Sequence, residues 1–309
     1  KFTLLNSAKA HFRSGSYKMA LKHASQFLNV PKLEAKDKRN GEHLLAQINF
    51  AIEAKQNPVE IDPAPVSQLI NRLGDVYWPS MTVDNSRFYF TAKLPLYRTS
   101  FQEDIYVSQM RNDTFGKPYA ISDEVLSLSN EGASFISPDG RYLLFTGCRR
   151  SDGYGSCDLY ISVKKDGKWQ APINLGSKVN SNMWDSRPVI TSNGKTLYFS
   201  SNRKGGYGKA DIYMCQKQGE TDDGLPKWSE PINLGDSINT PGDEFAPFIH
   251  ADNQTLYFSS DHHLGMGGQD IFMTRKTGDN QWEKPQNLGY PINKHTDEIG
   301  LFIDAPAEY

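Results

Sequence analysis

Hydrophobic positions along this chain keep two different periods, and the change between them divides it. In the first 57 residues they fall three or four apart: Leu4, Leu5, Ala8 and Phe12, then Ala20, Leu21, Ala24, Phe27 and Leu28. That is the spacing of one helix face. Gly15-Ser16 predicts a turn between two helices, and Pro31 ends the second, because proline has no N–H to continue the ladder. Leu44, Leu45, Ile48 and Ile52 form one stripe of a third helix, from about Glu34 to Gln56. From Asn57-Pro58 through Pro63-Ala-Pro65 the chain is proline-rich, which predicts an extended linker over 58–74. Beyond residue 75 the helical period is gone. Short β-branched and aromatic runs such as Leu143-Leu-Phe-Thr146 and Leu159-Tyr-Ile161 replace it, separated by Gly, Pro, Asn and Asp.

These runs repeat. Phe90, Phe145, Phe199 and Phe258 stand 55, 54 and 59 residues apart, and Asp104, Asp158, Asp211 and Asp270 stand 54, 53 and 59 apart. One copy reads Trp184-Asp-Ser-Arg-Pro-Val-Ile190, an Asn193-Gly194 turn, Leu197-Tyr-Phe-Ser-Ser201, a glycine loop and Asp211-Ile-Tyr213. It closes on Trp228, Pro231 and Ile232-Asn-Leu-Gly235. Three or four short strands in such a unit make one antiparallel sheet, with two faces it cannot cover alone. Radial stacking of similar sheets covers both.

The expected fold is therefore mainly β. It is a β-propeller of four complete repeats (near 75–129, 130–180, 181–239 and 240–293), with a fifth beginning at 294. A small α-helical domain over 1–57 precedes it. A β-sandwich would not repeat whole multi-strand motifs so regularly. Asp297-Glu-Ile-Gly-Leu-Phe-Ile303 reads as the first strand of the fifth repeat. Either a longer protein continues that repeat or Val66–Leu73 completes it. The first is preferred, because a fifth blade needs two further strands.

Aligning the repeats on Pro79, Ser134, Pro188, Pro247 and Leu301 brings Val76, Glu131, Asp185, Glu244 and Glu298 into one column. The strand that follows is expected to line a central channel, which places four carboxylates near one mouth. A carboxylate ring there would hold a cation or a basic segment. Alternatively each acid accepts backbone N–H bonds and clamps neighbouring blades, the preferred reading, since residues kept in every repeat serve the repeat. Trp78, Trp184 and Arg187, with Tyr77 and Phe245, lie beside the column and are candidate contacts at the mouth. The aspartates at 104, 158, 211 and 270 follow glycine loops and are expected to accept bonds from loop amides.

Composition removes several classes. Lys and Arg number 34 against 36 Asp and Glu, a net charge of −2, so no nucleic-acid footprint is present. No apolar run reaches the roughly 20 residues of a membrane helix. There is no Gly-x-Ser-x-Gly elbow, no zinc spacing and no Asp-x-Asp-x-Asp calcium loop. His262-His263 is the only close histidine pair. No catalytic, cofactor or metal residues are expected, and the chain is expected not to be an enzyme. Cys148 and Cys157 flank the loop of the second repeat, at the ends of two strands expected to pair. They read equally as a disulfide, which would favour an oxidising compartment, or as two reduced thiols. Cys215 is expected to be buried.

The Pro138-Asp-Gly140 turn, the Tyr198-Phe199 strand and the Asp211-Ile-Tyr213 strand resemble the TolB-type, WD-repeat-like β-propellers. The loops Ser201–Gly208 and Asp261–Gly268 and the closing run Trp282, Pro285, Asn287-Leu-Gly289 and Ile292-Asn293 are similar to those of Bacteroidetes envelope proteins, over residues 75–303. Ala8, Ala20 and Pro31 sit where a tetratricopeptide repeat keeps its small residues and terminal proline. Such helices before such a propeller resemble the PorE-type outer-membrane lipoproteins of the type IX secretion system. The resemblance implies a periplasmic, outer-membrane-associated interaction scaffold, anchored through an N-terminal lipid outside this chain. Its partners would be other cell-envelope or secretion-machinery proteins. The alternatives are a propeller that binds glycan or peptidoglycan fragments, and the regulatory propeller of a larger peptidase.

Overall fold

A computed structural model describes residues 2–97, 100–112 and 114–303. Helices α1 (Phe2–Arg13), α2 (Tyr17–Leu28) and α3 (Ala35–Gln56) lie close to their expected bounds, and a short α4 (Gln68–Asn71) falls within the proline-rich stretch. Four five-stranded antiparallel sheets follow. They are β1–β5 (Asp75–Met81, Arg87–Tyr97, Ser100–Arg111, Thr114–Phe115, Tyr119–Ala120) and β6–β10 (Asn130–Ile136, Tyr142–Cys148, Cys157–Lys165, Lys168–Trp169, Ile173–Asn174). Then come β11–β15 (Asp185–Ile190, Thr196–Ser201, Asp211–Glu220, Pro226–Trp228, Ile232–Asn233) and β16–β20 (Glu244–Ile249, Thr255–Ser260, Asp270–Gly278, Gln281–Trp282, Gln286–Asn287). The architecture is mainly β, a four-bladed β-propeller with N-terminal helices.

Each blade has five strands where three or four were expected. The third strand is long, and two short strands pair with different stretches of it. β13, for example, meets β14 over Lys217–Glu220 and β15 at Tyr213 and Met214.

The chain divides into two compact units. The first comprises Lys1–Pro63, Ser259–Met273 and Pro285–Ile299. Its core holds Leu5, Ala8, Phe12, Tyr17, Ala20, Ala24, Phe27, Leu44, Ile48 and Ala51, with Met266. The Tyr17 hydroxyl donates to the Met266 carbonyl at 2.6 Å, and the Val59 N–H donates to the Tyr290 carbonyl at 2.7 Å. A Cβ on Gly41 would sit 2.8 Å from carbons of Phe27 and Leu28, so the missing side chain sets how closely α2 and α3 approach.

The second unit comprises Ala64–Phe258, Thr274–Lys284 and the segment from Gly300. Its packing shows why radial stacking wins. Neighbouring residues of a strand point to opposite faces. Along β7, Leu143 and Phe145 join Tyr89, Ile105 and Val107 of the first blade, while Leu144 joins Leu197, Phe199 and Cys215 of the third. Both faces of the blade are thus dry. The Leu-Leu-Phe run reads as continuous rather than alternating for that reason.

The segment 297–303, expected to open a fifth sheet, forms no strand among the described residues. With no second strand beside it, it has no ladder to join. It still follows the path of an inner strand: Phe302 packs on Phe248 at 5.4 Å between ring centroids. Val66–Leu73 supplies no strand either. Ile70 of α4 instead packs with Phe88, Phe90 and Ala92 of β2.

Candidate binding site at the channel mouth

The innermost strands of the blades, β1, β6, β11 and β16, surround the channel. Three of them carry a register shift at the same repeat position, between Tyr77 and Ser80, Gly132 and Phe135, and Ser186 and Val189. The residue at the shift takes a left-handed backbone. Trp78 has φ 56°, Ala133 49°, Arg187 61° and Ala246 51°, and Gly300, at the same position of the last segment, has φ 86°. These five residues form one ring of the channel wall. Hydroxyls of the preceding blade fix the bulge. Ala133 N–H donates to Thr91 Oγ1 and Arg187 N–H to Thr146 Oγ1, both at 2.9 Å.

A left-handed backbone costs a residue with a Cβ about 1–2 kcal/mol, so glycine is the economical occupant. Gly300 obeys, and Ala133 and Ala246 carry nothing beyond the Cβ. The other two carry the largest aromatic side chain and an arginine, and these two touch. The Arg187 guanidinium lies 4.0 Å from the Trp78 ring centre, 4.6 Å from that of Phe245 and 5.6 Å from that of Trp184. Trp184 and Phe245 meet edge-on at 5.6 Å, and Tyr77 and Trp78 do so at 5.8 Å. Trp78 is accommodated because Gly300 has no side chain: a Cβ there would lie 2.8 Å from the indole.

Beneath Trp78 and Arg187 the channel narrows to a cavity of about 50 Å³ walled by Pro79, Pro188, Pro247, Phe135, Phe248 and Phe302. A second cavity of about 60 Å³ continues toward Met81, Ile136, Ile190, Ile249 and Ile303. Each holds one or two waters at most. A ligand larger than that sits at the mouth rather than inside.

The acid column lies elsewhere in the wall and is fully occupied by internal bonds. Glu131 accepts from the Ser127 N–H and hydroxyl and pairs with Arg150 at 2.7 Å. Asp185 accepts from the Ser181 N–H at 2.6 Å and hydroxyl at 2.7 Å and pairs with Arg203 at 2.7 Å. Glu244 accepts from the Thr240 N–H and hydroxyl, and Glu298 from the Lys294 N–H and the Thr296 hydroxyl. In each repeat the acid ties down the loop four residues upstream. Side chains of Glu131 and Asp185 are wholly buried and present no oxygen to the mouth.

Three members of the second acid column behave similarly, whereas Asp104, expected to bind loop amides, accepts from the Gln102 side chain instead. Asp158 accepts from the amides of Tyr154 and Gly155, Asp211 from Tyr207 and Gly208, and Asp270 from Met266 and Gly267. A third column, Asn180, Asn239 and Asn293, is visible in the sequence only as the last polar residue of each closing run. Each side chain bonds both backbone groups of one strand residue, Leu159, Ile212 and Ile271 respectively. Cys148 and Cys157 face each other across β7 and β8 and are disulfide-bonded, and Cys215 is buried, which pushes its thiol up to about 12. His262 stacks on His43 at 4.3 Å, and no group of three or more metal-ligating side chains occurs among the described residues.

No protein-family model matches the chain, and no curated protein does. Solved structures are similar to it at a distance. TolB from Acinetobacter baumannii is 18% identical with a TM-score of 0.43, over 70% of this chain and 43% of that one. An endo-arabinase from Bacteroides thetaiotaomicron VPI-5482 is 17% identical with a TM-score of 0.46, over 69% and 80%. A puromycin-hydrolyzing peptidase of Mycobacterium tuberculosis is 16% identical with a TM-score of 0.37, over 75% and 41%. The chain thus spans about two fifths of the TolB and peptidase chains. Likeness at this level assigns no activity.

It does correct one expectation, that the chain is not an enzyme. The similar structures are mostly glycoside hydrolases and peptidases, so the propeller gives no ground for excluding catalysis. What the fold establishes is a β-propeller of four blades with N-terminal helices.

Proposed function

We propose that this propeller binds a glycan-type ligand, a glycan or peptidoglycan fragment, at the mouth framed by Tyr77, Trp78, Trp184 and Phe245. One observation carries the reading. Of the five tryptophans, Trp169, Trp228 and Trp282 are buried in the blades, whereas Trp78 and Trp184 keep part of their surface open and lie together around Arg187. Half-exposed aromatic faces gain free energy when the C–H face of a sugar covers them, while its hydroxyls stay in water. Titration calorimetry with soluble chitin oligomers and muropeptides tests it. Trp184→Ala is expected to weaken binding by roughly tenfold or more, the usual effect of losing an aromatic anchor. Failure of every such ligand to bind the intact protein at millimolar concentration would exclude the reading.

An envelope location is supported by the Cys148–Cys157 bond, since such bonds persist in oxidising compartments. The same bond supports the second reading, an envelope scaffold of the kind the sequence resembles. No helix is long and apolar enough to cross a membrane among the described residues.

A further inference from the structure

We infer that Arg187 is an anion hook in this mouth, and that the ligand it holds carries a carboxylate: an acidic sugar or the acid end of a peptidoglycan-type fragment. The inference deepens the glycan-binding reading and rests on it for the identity of the rest of the ligand.

Three observations on the same side chain converge. The first is its position. A left-handed backbone favours glycine and offers an arginine nothing, yet position 187 bears one at φ 61°, while the equivalent positions 133, 246 and 300 are Ala, Ala and Gly. The backbone does not call for an arginine there, so its side chain is the reason for it.

The second is the lack of a counter-ion. Arg150 and Arg203, by contrast, are each spent on an acid of the column. Arg187 has no ion pair among the described residues, and its Nη1 is buried without a hydrogen-bond partner. The acid whose charge acts on it, Glu103, forms no salt bridge with it. Burial lowers the Arg187 pKa to about 9, which still leaves the guanidinium cationic at neutral pH. A buried cation with an idle N–H is costly, and an incoming anion removes that cost.

The third is the shape of the surroundings. Trp78 and Phe245 lie 4.0 and 4.6 Å from the guanidinium centre, and such ring contacts use none of its N–H groups. Pro79, Pro188 and Pro247 line the cavity and have no N–H to donate, while the Ser134 hydroxyl, also in the lining, is buried without a partner. An arginine fork pairs with a phosphate as well as with a carboxylate, and the carboxylate is the smaller and planar of the two. A planar carboxylate needs only the two-pronged edge of the arginine. The cavity of about 50 Å³ admits such a group and not a sugar ring, so the ring remains above, against Trp184.

The test compares N-acetylmuramic acid, its methyl ester and a neutral chitin trimer on the intact protein by titration calorimetry. The acid is expected to bind about 10–100-fold more tightly than the ester, the range for a hydrogen bond to a charged group. That preference should vanish in Arg187→Met and survive in part in Arg187→Lys, which keeps the charge and loses the fork. Equal binding of acid and ester overturns the inference, as does an acid preference that persists in Arg187→Met. The wild-type comparison decides even where the variants fail to fold. If the trimer binds and acid and ester are equal, the glycan site stands and the hook falls. If the trimer does not bind but lactate and acetate compete with the acid in an Arg187-dependent way, the hook stands and the glycan reading falls.

Discussion

Asp185→Ala measures how much of the propeller is held by its acid column. The carboxylate is 0% exposed and its partner Arg203 only 17%. Two bonds tie it to Ser181, at the loop entering the third blade, and Arg203 reaches it at 2.7 Å. Removing one member of a buried pair typically costs about 3–5 kcal/mol, because the surviving charge stays buried. The lower end applies, because Arg203 keeps a bond from Nη2 to the Val179 carbonyl and some contact with water. A loss of about 3 kcal/mol corresponds to a fall in Tm of roughly 6–12 °C for a unit of this size. Glu298→Ala is the internal control. It occupies the same column position but has no arginine partner among the described residues and is partly exposed, so about 1 kcal/mol is expected. Scanning calorimetry on both variants, with Asp185→Ala/Arg203→Met as the double mutant, completes the assay. The double mutant should recover much of the loss, because no lone buried charge remains. If Asp185→Ala shifts Tm by less than 2 °C, or the double mutant is worse than the sum of the singles, the clamp argument is wrong.

Three other perturbations follow from single contacts. In Gly206→Ala the new Cβ would meet Asp211 Oδ2 at 2.1 Å and displace the carboxylate from the Tyr207 and Gly208 amides. Chemical denaturation should show a loss of about 1–3 kcal/mol, and a neutral result refutes the account of that glycine. Burial raises Asp270 to about 7 against the pull of the Met266 and Gly267 amides. The folded state therefore keeps a proton that the unfolded chain releases near pH 4, and stability from this group falls between about pH 4 and 7, by up to about 1.4 kcal/mol per pH unit. Asp270→Asn should flatten that part of the Tm–pH curve, and parallel curves for variant and wild type would show the carboxyl to be ordinary. Replacing Cys148 and Cys157 by serine opens a loop closed over a sequence separation of 9, which should cost about 2–3 kcal/mol by chain entropy, and insensitivity of wild-type Tm to reductant would contradict it.

Much of this architecture is legible in the chain because it is periodic. Landmarks such as Phe145 and Asp158 recur because every blade solves the same problem of burying two sheet faces, and the same residues recur with the solution. The helical stripe through Ala8, Phe12, Ala20 and Phe27 is legible for a similar reason: its spacing matches a turn of helix. Asp158 and Asp211 could be assigned to loop amides because an acid four residues beyond a glycine loop has few other donors in reach. The mouth is different. Trp78, Trp184 and Arg187 were noticed beside the acids, but nothing in one dimension says that position 187 meets position 78 across a channel. That meeting depends on the angle between the first and third blades.

Local chemistry and its repetition along the sequence determined the class of fold, the strand runs and the loops that close them. Tertiary structure alone decided which polar residues are spent and which are left over. Glu131 and Asp185 disappear into pairs with Arg150 and Arg203, while Arg187 emerges with aromatic faces and no acid. The physical reason is range. Periodicity records contacts repeated within one blade, whereas the mouth is made by single residues from different blades, where the repeat is broken and only the closed ring brings them together.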